Sequence, residues 1–184
     1  MAKLVDYGSD FEPINGYPNP NTRIELDINL VKNDRFVYDA NDPAYRNWIP
    51  FEFKLQVGED ELYEYPAEFG ATFNVEELNN WFLGMEKLFN DIQIRVKTCT
   101  NRFECKPIKF KFFTLETYFG MDFSGGYEED TLSVTVWIIM GSLPNSDKSG
   151  FRRGFGYTVT LEDVKIFMAD LKKELDCLIE SERK

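Results

Sequence analysis

The chain has no histidine among its 184 residues. That absence excludes histidine general bases, Ser-His and Cys-His nucleophile pairs, and the usual histidine-containing zinc and iron sites. Cysteine is scarce too, and three is an odd number for a disulfide framework. Cys99 and Cys105 flank a short hairpin loop (Thr100 to Glu104) and can face each other across it, while Cys177 falls in the last helix. Nothing points to an oxidising compartment, so reduced thiols are expected. The longest apolar run, Val134 to Met140 with one Thr, is far short of the roughly 20 residues that span a bilayer. The opening Met-Ala-Lys-Leu-Val-Asp does not read as a secretory leader, so a cytoplasmic protein is expected. Basic residues are also in deficit. With 21 Lys and Arg against 32 Asp and Glu, the net charge is −11. Such a surface repels nucleic-acid phosphates and anionic lipid and attracts basic proteins, or simply keeps the protein soluble.

Aromatic residues, by contrast, are plentiful. The 17 Phe, 9 Tyr and 3 Trp supply a core for one domain of this length. The organising stretch occurs twice. Phe69-Gly70-Ala71-Thr72-Phe73-Asn74-Val75-Glu76-Glu77-Leu78 aligns without a gap on Phe155-Gly156-Tyr157-Thr158-Val159-Thr160-Leu161-Glu162-Asp163-Val164, at an offset of 86 residues. Each copy reads as a strand running into an amphipathic helix. Leu78, Trp81, Phe82, Met85 and Phe89 form one apolar stripe, and Val164, Phe167, Met168, Leu171 and Leu175 form the other. Asn74 with Glu77, and Thr160 with Asp163, have the spacing of capping boxes.

Taken in order, residues 1–21 hold Pro13, Pro18, Pro20 and two glycines and read as an irregular arm before a single domain over 22–184. Ile24, Leu26, Ile28 and Leu30 alternate with Arg23, Glu25, Asp27 and Asn29 as a strand with one wet face. Trp48 to Val57 is a second strand, Gly58 to Glu68 an acidic loop, 69–73 a third strand, and Val75 to Asn90 the first helix. Ile92, Ile94 and Val96 alternate as a linking strand. Lys109-Phe110-Lys111-Phe112 then opens a long strand reaching Phe123, and Gly125-Gly126 turns it. Thr131 to Met140 is the next strand, with Leu132, Val134, Val136 and Ile138 on one face and Trp137 and Ile139 on the other, so its last part is expected to be covered on both sides. After a loop from Ser142 to Gly150 come a strand over Phe151 to Val159 and a helix from Leu161 to about Glu180. The fold class is α+β. A mostly antiparallel twisted sheet of six or seven strands carries two amphipathic helices, and pseudo-repeats over 22–91 and 108–177 suggest an internal βββα duplication.

No constellation of residues announces a reaction. Two acidic groups stand out: Glu59, Asp60, Glu61 and Glu64 in one connection, and Glu128, Glu129 and Asp130 beyond the Gly-Gly turn. They suit a basic partner or a divalent cation, or are solvated loops; the spacing is not that of a calcium loop. No cofactor, metal or catalytic residue is assigned. Gly154-Phe155-Gly156 lacks the third glycine of a dinucleotide motif and enters a strand, so it is structural. Gly70 is expected to let an aromatic ring pack over the backbone, and Trp48 to sit at a strand's start, partly open at the edge of its loop. An enzyme working through carboxylates alone would need two converging acids, for which Glu116 and Asp122 are possible contributors. A structural or assembly module is the third class.

An Asp/Asn loop leads into Trp48-Ile49-Pro50-Phe51-Glu52-Phe53, and a helix opens at Val75-Glu76-Glu77-Leu78. Thr114-Leu115-Glu116, Gly125-Gly126 and a closing strand–helix pair follow. In this order of elements, over roughly residues 22 to 180, the chain is similar to the WapI-like immunity proteins, which protect bacteria from wall-associated and Rhs-type toxins delivered between neighbouring cells. The resemblance implies a non-catalytic inhibitor that binds one cognate toxin domain. Many such toxins are nucleases and hence basic, and the two acidic groups are then the candidate partner-facing residues.

Overall fold

Alternation of apolar and polar side chains builds both halves of the molecule. The computed structural model describes residues 1–5, 23–32, 38–59, 61–99, 105–116, 118–126, 130–139 and 152–182. Strands β1 (Ala2–Val5), β2 (Ile24–Leu30), β3 (Trp48–Val57) and β4 (Glu61–Tyr65) lie side by side in that order, all antiparallel. β3 also pairs through Trp48, Ile49 and Pro50 with the short β5 (Thr72–Asn74). The second sheet is a meander of β6 (Ile108–Phe113), β7 (Phe119–Gly125), β8 (Thr131–Ile139) and β9 (Arg152–Thr160). Its inner face carries Phe119, Met121, Phe123, Val134, Val136 and Val159, all buried.

Helix α1 (Val75–Thr98) follows the first sheet and α2 (Leu161–Glu182) the second, but each packs on the other's strands. α1 lies on β6, and α2 on β1 and β2. The crossing closes one core around Trp81. Its ring stacks on Phe112 at 4.1 Å and meets Phe73, Phe119 and Phe167 at 6.1–6.2 Å.

The Asn74–Glu77 capping box forms as the spacing predicts, whereas at the second helix Thr160 caps Asp163 N but Asp163 returns to the Thr160 hydroxyl and not to its backbone amide. Asn74 Oδ1 accepts from Glu77 N (2.7 Å) while Glu77 Oε2 accepts from Asn74 N (2.8 Å). Thr160 Oγ1 accepts from Asp163 N at 3.0 Å and donates to Asp163 Oδ2 at 2.6 Å. The 86-residue offset therefore holds at the helix starts and at the first four stripe positions, while Phe89 is only partly buried where Leu175 is fully so. It is not kept by the strands, since β5 has three residues and β9 nine.

Several local expectations change. The strands form two sheets, not one. Residues 92–97, read as a linking strand, are the last turns of α1. Ile92 continues the i, i+4 stripe from Leu88 and is buried, whereas Ile94 is 61% exposed, and no Gly or Pro interrupts the helix. The long strand to Phe123 is a hairpin, folded at Thr114, whose buried hydroxyl and amide both bond to the carbonyl of Phe119. Part of the acidic loop is strand β4, and Ala2–Val5, inside the presumed arm, is strand β1. Residues 6–22, 100–104, 127–129 and 140–151 lie outside the described residues, so the remainder of the arm, the tip of the Cys99–Cys105 loop, much of the Gly-Gly connection and the loop at 142–150 do too.

Cys99 and Cys105 are bridged, with Cα atoms 6.5 Å apart, instead of reduced; Cys99 leaves the helix in an extended conformation that brings it opposite Cys105. Cys177 is a free, exposed thiol. Gly70 is needed for its φ of +77°, with open space around it; the ring-over-glycine contact occurs at Gly154 instead, beneath Trp137.

Gly84 sets how closely α1 approaches β6, because a Cβ there would fall 2.1 Å from the Phe110 ring. Gly84→Ala gains about 1 kcal/mol of helix propensity and loses roughly 1–3 kcal/mol to overpacking. A net loss near 1 kcal/mol is expected by urea denaturation, and a net gain in a Phe110→Ala background, where the ring is gone.

Candidate interaction surface

Hairpin geometry decides which of the sequence-predicted acids face outward. Glu59 is exposed in the turn between β3 and β4, where Gly58 has φ +63°. Glu61, on β4, is engaged within the molecule: it accepts from the Tyr63 hydroxyl (2.8 Å) and pairs with Arg153 of β9 (3.2 Å). The Arg153 guanidinium also lies over the rings of Tyr63 and Phe155 and donates to the Tyr63 hydroxyl, so this group clasps the two sheets together. Glu64 is exposed on β4, opposite Lys54. Asp130 is exposed just before β8, and its carbonyl accepts from Leu161 N at 2.7 Å. Asp60, Glu128 and Glu129 lie outside the described residues.

Among the described residues, Glu61 and Asp130 are not brought together. Arg153, the partner of Glu61, pairs with Ile138 at one end of β8, and Asp130 precedes Thr131 at the other. Seven strand positions separate those ends, about 23 Å at ~3.3 Å per residue.

Register assembles a third set of acids that strand-by-strand reading leaves scattered. On the outer face of the first sheet, Lys3, Asp27, Lys54 and Glu64 stand in one row across four strands. In the next row Asn29 donates to Glu52 at 3.0 Å. Lys3 contacts Glu25 and lies 3.6 Å from Asp27. Asp27, Asn29, Glu52, Lys54, Glu64 and Pro66 line an open groove of about 320 Å³ on this face. A larger groove, about 530 Å³, runs between Leu30 and α2 past Asp170, Lys173 and Cys177. It mixes charges and holds no concentration of either sign.

The row has opposed electrostatics at neighbouring carboxylates. A hydrogen bond from Lys3 holds the Glu25 carboxyl below its ordinary pKa, and the same contact raises Lys3. Asp27 is only 14% exposed. Burial pushes its pKa above the ordinary Asp value against the pull of Lys3, and its Oδ1 is enclosed without a hydrogen bond. Just above the ordinary Asp pKa, folded Asp27 therefore binds more proton than the same residue in the unfolded chain. As pH rises through the window just above the ordinary Asp pKa, this group subtracts stability. Glu25 does the reverse: its contribution is present above the ordinary Glu pKa and is lost as pH falls through the lowered folded value. Asp27→Asn should thus raise the neutral-pH urea midpoint slightly and Glu25→Gln lower it. The two effects should diverge between pH 4 and 7.

The acids considered for carboxylate chemistry do not converge. Asp122 pairs with Lys111 at 3.0 Å on the outer face of the second sheet, while Glu116 lies in the β6–β7 turn within 3.5 Å of the Thr72 hydroxyl. Among the described residues no group of three or more Cys, Asp or Glu side chains is placed to hold a metal ion, and no helix is long and apolar enough to cross a membrane. No curated protein and no solved structure matches the chain. A family model does, over residues 18–178, which take in every strand after β1 and nearly all of α2: the chain belongs to the immunity protein WapI-like family.

Proposed function

We propose that the protein is a cytoplasmic, non-catalytic immunity protein that binds one cognate, basic toxin domain and neutralises it by occupying its surface. The observation that carries this reading is the family match over residues 18–178. The net charge of −11 supports it, because an acidic inhibitor is steered toward a basic target over distances of about a Debye length. In this reading Glu59, Asp60, Glu61 and Glu64, with Glu128, Glu129 and Asp130, contribute to the attracting field. Glu59 and Glu64 point outward, whereas Glu61 is already held by Arg153.

The test is affinity capture from the native cells followed by co-expression of the recovered basic domain with the protein. Growth should be restored by the protein and by no unrelated acidic protein; failure to restore growth overturns the reading. With that partner in hand, Glu59→Lys/Glu64→Lys should slow association about tenfold at low salt and flatten its salt dependence. Reversal of Glu128, Glu129 and Asp130 should act in the same direction. Unchanged association in both variants would remove these residues from the interface field.

One observation favours a carboxylate-dependent hydrolase: Asp27, raised by burial, shares a groove with Glu52 and Glu64. Lys54 stands between Asp27 and Glu64 in the same row, and Asn29 holds Glu52, which makes the set a lattice of paired charges. That arrangement suits recognition better than proton transfer.

A further inference from the structure

Four strands, β1, β4, β6 and β9, bound the two sheets, and three of those edges are blunted. β1 is four residues long, carries Lys3 and has α2 packed against it. β4 is five residues long, with Glu61 and Glu64 exposed on it. β6 presents exposed Lys109 and Lys111 and has α1 along it. Short length, charge and a covering helix are devices that stop an edge from pairing with another chain. β9 is nine residues long and carries charge only at its first two. From Gly154 to Thr160 it has neither charge nor proline, and among the described residues no strand pairs with its outer side.

Alternation along the ladder fixes which backbone groups are left over. Leu161 N donates to the Asp130 carbonyl, so the odd-numbered residues of β9 turn their amides to β8 while Gly154, Gly156 and Thr158 turn theirs away. All three are exposed, and among the described residues their outward amides and carbonyls have no hydrogen-bond partner. An extended segment satisfies such a row by backbone pairing. Resting on the reading of the partner as a basic protein, we propose that β9 is the edge to which that partner adds a β-strand, over Gly154 to Thr158, with a lysine or arginine at the end that reaches Asp130. Charge selects a foreign strand over a second copy, because two copies each bring a net charge of −11. At one end of the edge Arg153 is taken up by Glu61, and Arg152 lies over the Phe113 ring. At the other, Asp130 stands opposite Leu161, exposed and without an ion pair among the described residues. Of these three charges the one left open is acidic.

The probe is a short peptide, Ac-Lys-Thr-Val-Thr-Val-Thr-NH2, whose lysine falls beside Asp130 when it lies antiparallel to β9. In amide-resolved NMR titrations at low salt it should shift Gly154, Gly156 and Thr158 most and slow their amide exchange. The same peptide with glutamate in place of lysine should bind several-fold more weakly, and Asp130→Lys should invert that preference. A Cβ on Gly156 meets nothing nearer than 3.7 Å, so substitution there tests the edge and not the packing. Gly156→Pro removes only an outward amide, so the protein should stay folded while probe binding falls about tenfold. Gly156→Ala should bind like the parent. The proposal is overturned if the shifts centre elsewhere, or if Gly156→Pro binds the probe unchanged. Unfolding of Gly156→Pro also overturns it, since the amide would then be engaged already. Sedimentation equilibrium should show a monomer; a dimer abolished by Gly156→Pro would make a second copy the occupant and overturn the proposal. Growth rescue should be lost in Gly156→Pro. Rescue kept by that variant would overturn the edge as the docking site and leave the immunity reading standing, whereas probe binding at β9 without rescue by the parent would do the reverse.

Discussion

Trp81→Ala is expected to destabilise the protein by about 3–5 kcal/mol, the largest effect of any single truncation considered. The side chain is wholly buried and its neighbours come from four elements: Phe73 on β5, Phe112 on β6, Phe119 on β7 and Phe167 on α2. Those rings are held by two different sheets and the other helix, so they cannot collapse together into the vacated space. The full cavity cost therefore persists. Trp81→Phe gives the complementary result. The indole Nε1 is buried without a hydrogen-bond partner, so removing it relieves an unsatisfied donor while most of the stacking on Phe112 survives. A loss below about 1.5 kcal/mol is expected for that variant. Urea midpoints followed by far-ultraviolet circular dichroism check both, since fluorescence would change with the tryptophan itself. A Trp81→Ala loss under 2 kcal/mol would mean that the two halves do not share this core.

How far such a core can be read in advance depends on whether the signal is local. β2 and β3 are legible because apolar and polar residues alternate over Ile24–Leu30 and Trp48–Val57 without a competing pattern. The helix starts are equally legible, since Asn74–Glu77 and Thr160–Asp163 carry their capping partners within four residues. At the end of α1 the same rule misleads. Ile92, Ile94 and Val96 satisfy period two, but Leu88, Ile92 and Val96 also satisfy i, i+4, and only the exposure of Ile94 separates the two readings. β4 is hidden for another reason: Glu61 and Glu64 dominate a segment in which Tyr63 and Tyr65 carry the alternation. Neither the crossing of each helix onto the opposite sheet nor the groove has a local signature. Asp27, Glu52 and Glu64 are wet positions on three separate strands, and only the pairing Asp27–Lys54–Glu64 puts them on one surface. Of the acids that crowd together along the chain, Glu61 and Asp130 conversely fall by opposite ends of β8, the first through its partner Arg153.

Glu77→Ala should cost about 2–3 kcal/mol, well beyond an ordinary helix cap. The carboxylate does three things at once. Oε2 accepts from Asn74 N, completing the capping box on a residue that is 1% exposed; Oε1 accepts from Leu115 N in the β6–β7 turn; and the charge sits at the positive end of α1. Truncation strands two backbone amides from different elements, one of them partly buried, and unties the β6–β7 hairpin from the helix that packs on it. The molecule contains its own control. Asp163 occupies the equivalent place 86 residues later, but among the described residues its side chain bonds to Thr160 alone, so Asp163→Ala should cost about 0.5–1 kcal/mol. Glu77→Gln should fall between them, because its single carbonyl oxygen serves one amide while its NH2 faces the other. Urea midpoints and amide exchange at Asn74 and Leu115 provide the readout. Equal costs for Glu77→Ala and Asp163→Ala would show that the bond to Leu115 adds nothing. Faster exchange at both amides in Glu77→Ala, with Asn74 alone affected least in Glu77→Gln, would place the excess in the tie between the two halves of the fold.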